Sequence, residues 1–174
     1  MNFRYLKLFY ILTLFSSSIL PQNNWSLQSS GITALINSIS IVDNNVAWAA
    51  GDSGKVIRTI DAGLTWTSAD SGYFGNAIIW NIDALDSITA LLTITPPPFS
   101  STFVYKTSNG GLTWSNFETP NFYTSVWFIN NSVGMTSSYI NAGLSTNAGA
   151  FWNQVAIPGG GSYYAVAGSG SNDF

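Results

Sequence analysis

The sequence predicts an all-β fold built from repeated four-stranded antiparallel sheets. Of its 174 residues, 46% are hydrophobic and only 7% are charged. This composition suits strands that are buried on both faces and excludes a disordered polar chain. Apolar strands also alternate with polar turns at a regular distance. Four such turns end at residues 46, 88, 133 and 174, in steps of 42, 45 and 41 residues, so the chain is a repeat protein.

A second motif recurs once in each of the first three repeats and predicts a tight hairpin turn. We call these segments, 59–66, 107–114 and 145–152, the boxes: each has a hydroxyl residue, then Asp or Asn, Gly and finally Trp. In such a turn Asp or Asn accepts hydrogen bonds from nearby amides, and Gly provides a positive φ angle. The Trp is expected to pack between neighbouring sheets. The predicted structural residues are Thr59, Asp61, Gly63, Trp66, Thr107, Asn109, Gly111, Trp114, Ser145, Asn147, Gly149 and Trp152.

Each repeat therefore contains a strand, a polar turn, a strand, a variable loop, a strand, a box and a last strand. A four-stranded unit of about 40 to 50 residues is the size of a β-propeller blade. We expect blades at 32–72, 76–119 and 123–157, and the start of a fourth at 162–174. About three and a half blades do not close a ring. The sequence is thus expected to be the beginning of a longer protein or a truncated gene model.

Residues 24–31 resemble the strand that follows the first box, 65–72, but have no box in front of them. The partial propeller is expected at 23–174. We expect residues 24–31 to complete the last blade of the full-length protein and so close its ring, because closure removes free sheet edges. The alternative is an ordinary N-terminal strand that pairs with nothing distant.

The first 22 residues have the layout of a secretory signal peptide. Arg4 and Lys7 precede an apolar run at 8–15 and three serines at 16–18. Cleavage is expected between Ser18 and Asn23, which predicts a secreted, extracellular or cell-surface protein, with the periplasm as a further possibility. The alternative is an uncleaved membrane anchor, but the run is shorter than the roughly 20 residues of a spanning helix. No membrane span is expected after signal removal.

Charge and composition exclude several classes of function. Beyond the signal peptide the basic residues are Lys55, Arg58 and Lys106. Three scattered cations cannot form the basic patch of a nucleic-acid site. The chain has neither His nor Cys, which removes Ser-His-Asp chemistry, Cys nucleophiles and the common zinc sites. No metal, cofactor or catalytic residue is predicted.

The boxes resemble the Asp-box (BNR-type) repeat, and the pattern from Trp48-Ala49-Ala50-Gly51 through Gly63-Leu64-Thr65-Trp66 looks like the photosystem II stability/assembly factor-like propellers. The resemblance implies a propeller fold whose boxes are structural and lie far from its functional sites. Asn109 and Asn147 depart from the usual Asp, and Phe151 from the usual Thr. Similar repeats occur in sialidases, xyloglucanases and sortilin-type receptors, so the resemblance does not select one activity.

The interpretation we favour is a binding or assembly module for a protein or glycan partner. In a propeller, the loops opposite the boxes share one face, and aromatic rings there offer flat contact area at low entropy cost. The predicted binding residues are Tyr73, Phe74, Phe99, Phe122, Tyr123, Tyr139, Tyr163 and Tyr164. Each ring could instead cover a blade edge.

The alternative function is the N-terminal part of a secreted glycoside hydrolase, sialidase- or xyloglucanase-like, whose catalytic residues lie in further blades. Glycosidases commonly use a pair of carboxylates. The available acids, Asp43, Asp52, Asp70, Asp83 and Asp86, mostly sit in turns, where capping a backbone amide is their ordinary role.

Overall fold

The computed structural model describes residues 27–117, 123–138 and 142–155. They form twelve strands in three antiparallel four-stranded sheets. The predicted signal peptide and the predicted start of a fourth blade lie outside these residues. Within the described chain, no helix is long and apolar enough to cross a membrane.

Strands within each sheet lie in chain order, so every connection is a hairpin between neighbours. The first sheet contains β1 Ile36–Ile41, β2 Ala47–Gly51, β3 Val56–Thr59 and β4 Thr67–Ser68. The second contains β5 Ile78–Ala84, β6 Ala90–Thr95, β7 Phe103–Thr107 and β8 Ser115–Phe117. The third contains β9 Tyr123–Phe128, β10 Gly134–Ser138, β11 Ala142–Ser145 and β12 Asn153–Val155. This arrangement confirms the predicted class of propeller blades.

The sheets pack face to face, and the second sheet is sandwiched between the other two. All six residues of β6 are buried. Ala90, Leu92 and Ile94 belong to the core shared with the first sheet, whereas Leu91 belongs to the core shared with the third. Side chains alternate between the two faces of a strand, so a core on both faces requires a strand that, like β6, is buried along its whole length.

We call the first strand of each sheet its inner strand. Side chains of the inner strands β1 and β5 also accept hydrogen bonds from backbone amides of the next inner strand. Ser38 Oγ accepts from the Ile82 amide at 3.2 Å, and Asn81 Oδ1 accepts from the Val126 amide at 2.8 Å. Two residues further along each strand, Ser40 and Asp83 accept from the amides of Ala84 and Phe128. The same two bonds therefore join sheets one and two and sheets two and three.

The first turn of the second sheet corrects the repeat alignment made from the sequence. Asp43 caps two amides, those of Asn45 and Val46, and Asp86 does the same for Ile88 and Thr89. Asp86, not Leu85, is thus the equivalent of Asp43. The second turn therefore ends at residue 89 rather than 88. Leu85 lies before this turn and packs against the core between sheets two and three.

Residues 27–30 form no strand. Residues 24–26 lie outside the described chain, and the ring-closing role of 24–31 stays a prediction.

Candidate functional site

The boxes and the first turns of the sheets lie together on one face of the molecule, which we call the box face. The amides of Ala62, Gly110 and Ala148, one in each box, donate to carbonyls of the first turns at 2.8–2.9 Å. Inside the first box, Asp61 accepts from the Thr65 amide and hydroxyl at 2.9 and 2.6 Å. These hydrogen bonds hold the pKa of Asp61 below its usual value. The carboxylate is occupied by its own turn.

The Trp side chains of the three boxes make different contacts. Trp114 is buried against the first sheet, where Nε1 donates to the Ala69 carbonyl at 2.9 Å and the ring meets Trp48 edge-on. Trp152 packs edge-on against Phe128. The indole thus lies between sheets, with Trp66 of the first box as the partly buried exception.

The basic side chains next to the boxes donate hydrogen bonds to the neighbouring sheet. Arg58 and Lys106 each directly precede a box. Arg58 donates to the Ser87 carbonyl of the next sheet and lies 5.2 Å from the Trp48 ring. Lys106 donates to the Ala148 carbonyl of the third sheet at 3.1 Å, and burial lowers its pKa. Neither cation is therefore available as a surface site for an anionic partner.

The opposite face, which we call the upper face, carries the loops 69–77 and 96–102 and the turn Asp52–Gly54. Asp70 fixes the first loop: it is buried, accepts from the Gly72 amide at 2.7 Å and lies 3.7 Å from Lys55 Nζ. The second loop contains Pro96, Pro97 and Pro98, which have no amide to donate to a strand.

Two predicted binding aromatics are exposed on this face, and one is not. Tyr73 and Phe99 are 56% and 53% exposed. Phe74 is a correction: it is only 7% exposed and packs against Trp114 and Tyr105, with ring centroids 5.4 and 5.3 Å apart. It fills the seam between sheets one and two, so a partner cannot reach it. Tyr123 lies on β9, and the other predicted aromatics, Phe122, Tyr139, Tyr163 and Tyr164, lie outside the described residues.

The sequence analysis missed Trp80, which presents a fixed indole on the same side. The β5–β6 register shifts between Ile79 and Asn81, and Trp80 at this irregularity is 47% exposed. Its Nε1 donates to Thr95 Oγ1 at 2.8 Å, and the Thr95 and Thr102 hydroxyls are 2.9 Å apart. The ring is thus tied to both ends of the 96–102 loop. A search restricted to loops could not find a residue within a strand.

The carboxylates in the described part of the chain are committed to structural contacts. Asp43, Asp61, Asp70, Asp83 and Asp86 all accept backbone amides, and Asp52 accepts from Asn37 Nδ2 at 2.8 Å. Burial raises the pKa of Asp83 to about 6, although its bonds to Phe128 and Ser40 oppose that rise. No group of three or more metal-ligating side chains occurs among these residues.

Comparison with known proteins agrees with the architecture. No family model matches the chain, and no curated protein matches it. Among solved structures, YCF48 bound to D1 peptide is similar over 78% of this chain and 45% of its own, with a TM-score of 0.63 and 19% identity. YCF48 from Cyanidioschyzon merolae is similar over 70% of this chain and 39% of its own, with a TM-score of 0.56 and 20% identity.

An ancestral GH74 enzyme is also similar, over 79% of this chain and 20% of its own, with a TM-score of 0.58 and 13% identity. The chain thus spans less than half the length of each of these structures. At such identities the likeness shows the fold, and the three sheets are blades of a β-propeller.

Proposed function

We propose that the chain belongs to a non-enzymatic propeller that binds a segment of another protein on its upper face, with Trp80 as the central contact. The observation that carries this proposal is the half-exposed indole anchored to Thr95. An aromatic side chain fixed by its own polar atom offers contact area without the entropy cost of ordering it on binding.

The surroundings of Trp80 favour an uncharged partner segment. The two segments that carry Trp80, Tyr73 and Phe99, residues 71–81 and 95–102, contain no Lys, Arg, Asp or Glu. Tyr73 and Phe99 add exposed rings, and Ser100 and Ser101 add exposed hydroxyls. A charged segment would lose hydration here without gaining an opposite charge. The likeness to YCF48, solved with a D1 peptide, supports a protein partner.

A random-peptide display library, selected on the protein, tests this proposal. Trp80→Ala should abolish binding of the selected peptides with little change in melting temperature. Phe151→Ala is the matched control, because Phe151 is an exposed aromatic in the third box, on the opposite face. Selected peptides that bind Trp80→Ala as tightly as the wild type would refute the assigned site.

The second candidate is a glycan-binding surface or part of a glycoside hydrolase. It is favoured by the neutral aromatic and hydroxyl character of the two segments that carry Trp80 and Phe99. The likeness to a GH74 xyloglucanase from Xanthomonas campestris also favours it. That likeness extends over 69% of this chain and 20% of the xyloglucanase, with a TM-score of 0.52 and 18% identity. Xyloglucan oligosaccharides are the probe: Trp80-dependent binding of these sugars, without peptide binding, would replace our first proposal with this one.

We further propose that the protein acts outside the cytoplasm, in the extracellular space, at the cell surface or in the periplasm. The layout of residues 1–22 supports this location. Mass spectrometry of the protein isolated from its host should show a mature N-terminus between residues 19 and 23. An intact Met1 would contradict the proposal.

A further inference from the structure

The inner strand of each of the three sheets carries one extra residue at the same position, at the end of the strand next to the upper face. The register of β1 against β2 shifts at Asn37, that of β5 against β6 at Trp80, and that of β9 against β10 at Thr124. An extra residue of this kind, a β-bulge, bends the strand and re-aims its side chain. The position of Trp80 is thus a feature of the repeat, and Asn37 is its equivalent in the first sheet.

Asn37 links the first sheet to the bulge that carries Trp80. Its Nδ2 donates to the Ile79 carbonyl at 3.0 Å, which belongs to the peptide bond just before Trp80. The same nitrogen donates to Asp52 Oδ1 at 2.8 Å. Both amide hydrogens of Asn37 are therefore used, and they hold the Asp52 carboxylate beside the backbone that carries the Trp80 indole.

The Asp52 carboxylate keeps the capacity to accept a hydrogen bond from a partner. Asp52 is half-buried in its turn on the upper face. The described residues give no donor to its Oδ2 atom, and the nearby Lys55 lies 3.7 Å from Asp70 instead. Hydrogen bonds between a carboxylate and a charged donor are stronger than those between neutral groups. A basic side chain is therefore the group that this carboxylate would bind best.

The charges around the site determine where such a side chain would lie. The segments that carry Trp80, Tyr73 and Phe99 have no charged residue, so the part of a partner that covers the indole is expected to be uncharged. Asp52 belongs to the neighbouring turn and lies at the edge of this area, on the side of the first sheet. Lysine and arginine have long apolar stems, which can pass over the Trp80 indole while the charged end reaches Asp52.

We propose that Asp52, held in place by Asn37, is a second contact of the peptide site and accepts a hydrogen bond from a lysine or arginine of the bound segment. This inference rests on the proposed function, because it assumes that the segment covers Trp80. The partner is thereby specified further: an uncharged stretch over the indole, flanked on the side of the first sheet by one basic residue.

Peptides selected from a random display library on the full-length protein test the inference. Those whose binding depends on Trp80 should share a lysine or arginine at a fixed distance from their apolar residues. Asp52→Asn, which keeps an oxygen to accept from Asn37, should weaken their binding about tenfold, because a charged hydrogen bond at a half-buried position is lost. High salt should narrow this difference from the wild type.

Asp43→Asn is the matched control, because it removes the same charge from the box face. Asp43 caps two amides of its turn. At the equivalent place in the third sheet, Asn130 caps the amides of Ser132 and Val133 through its own Oδ1. The Asp43→Asn variant should therefore keep its turn and bind the selected peptides as the wild type does.

Replacement of the basic residue of a selected peptide by glutamine provides a second measurement. It should weaken binding to the wild type by the same factor and have no further effect on Asp52→Asn, as a double-mutant cycle shows for two groups in direct contact. Additive losses, or Trp80-dependent peptides without a basic residue, would overturn the inference and leave the proposed peptide site standing. Peptides that bind Trp80→Ala as tightly as the wild type would instead refute the proposed function itself.

Discussion

Gly111→Ala is expected to separate the first two sheets, because this glycine lies directly against the preceding sheet. Its φ is +85°, and an added Cβ would lie 2.1 Å from the Ala69 carbonyl oxygen. That oxygen accepts the indole N–H of Trp114. Backbone cannot move aside as a flexible side chain can, so the sheets must shift and the hydrogen bond must weaken.

The control is Gly72→Ala, which imposes a positive φ on alanine without a collision. Gly72 has φ +68° and no atom within 4 Å of the added Cβ. Both variants share the left-handed backbone cost of roughly 1–2 kcal/mol. Gly111→Ala adds overpacking of about 1–3 kcal/mol and a weakened hydrogen bond of about 0.5–1.5 kcal/mol. The gap between the two variants is therefore expected to be about 2–4 kcal/mol.

Urea unfolding, followed by tryptophan fluorescence, measures this gap. Trp114 lies in the seam and reports its opening, and the slope of each curve shows whether unfolding remains cooperative. Equal losses of stability in the two variants would mean that the box of the second sheet does not press on the first sheet, and would refute the packing described here.

The pKa of Asp83 is raised to about 6 in the folded protein. Between about pH 4 and pH 6 the folded state therefore keeps a proton that the unfolded state loses. The free energy of unfolding should fall by about 3 kcal/mol as the pH rises through this range. Asp83→Asn should flatten this slope in calorimetry, and an unchanged slope would exclude Asp83 as its source. Thr107→Val should cost about 1–3 kcal/mol in urea unfolding, because the buried Gly111 amide loses its acceptor at 3.0 Å; no loss would show that this amide finds another partner. Asp61→Ala should lower the melting temperature and leave binding of the selected peptides intact, since it lies on the box face; weaker binding at an unchanged melting temperature would give the box a direct functional role.

The sequence was most informative where chemistry is local. Asp61 and Thr59 lie within a few residues of the groups they bond, so the spacing of the box suffices to predict a self-contained turn. The class of four-stranded blades followed from the regular distance between such turns. Neither inference required knowledge of what packs on the sheets.

The errors arose where distant parts of the chain decide the outcome. Phe74 has the same local character as Tyr73, and only the neighbouring Trp114 and Tyr105 determine that it is buried. Trp80 is exposed because the register shifts at a single residue of β5, which no periodicity reveals. The alignment of the second turn was displaced by one residue because Asp86, rather than Leu85, caps the amides.

Hydrogen exchange with and without a selected peptide tests the central claim most directly, because it locates the bound partner on the propeller. The account predicts slower exchange in the loops 69–77 and 96–102 and around Trp80, with the boxes at 59–66 and 107–114 unchanged. Protection confined to the boxes would contradict the assignment of the upper face as the binding surface.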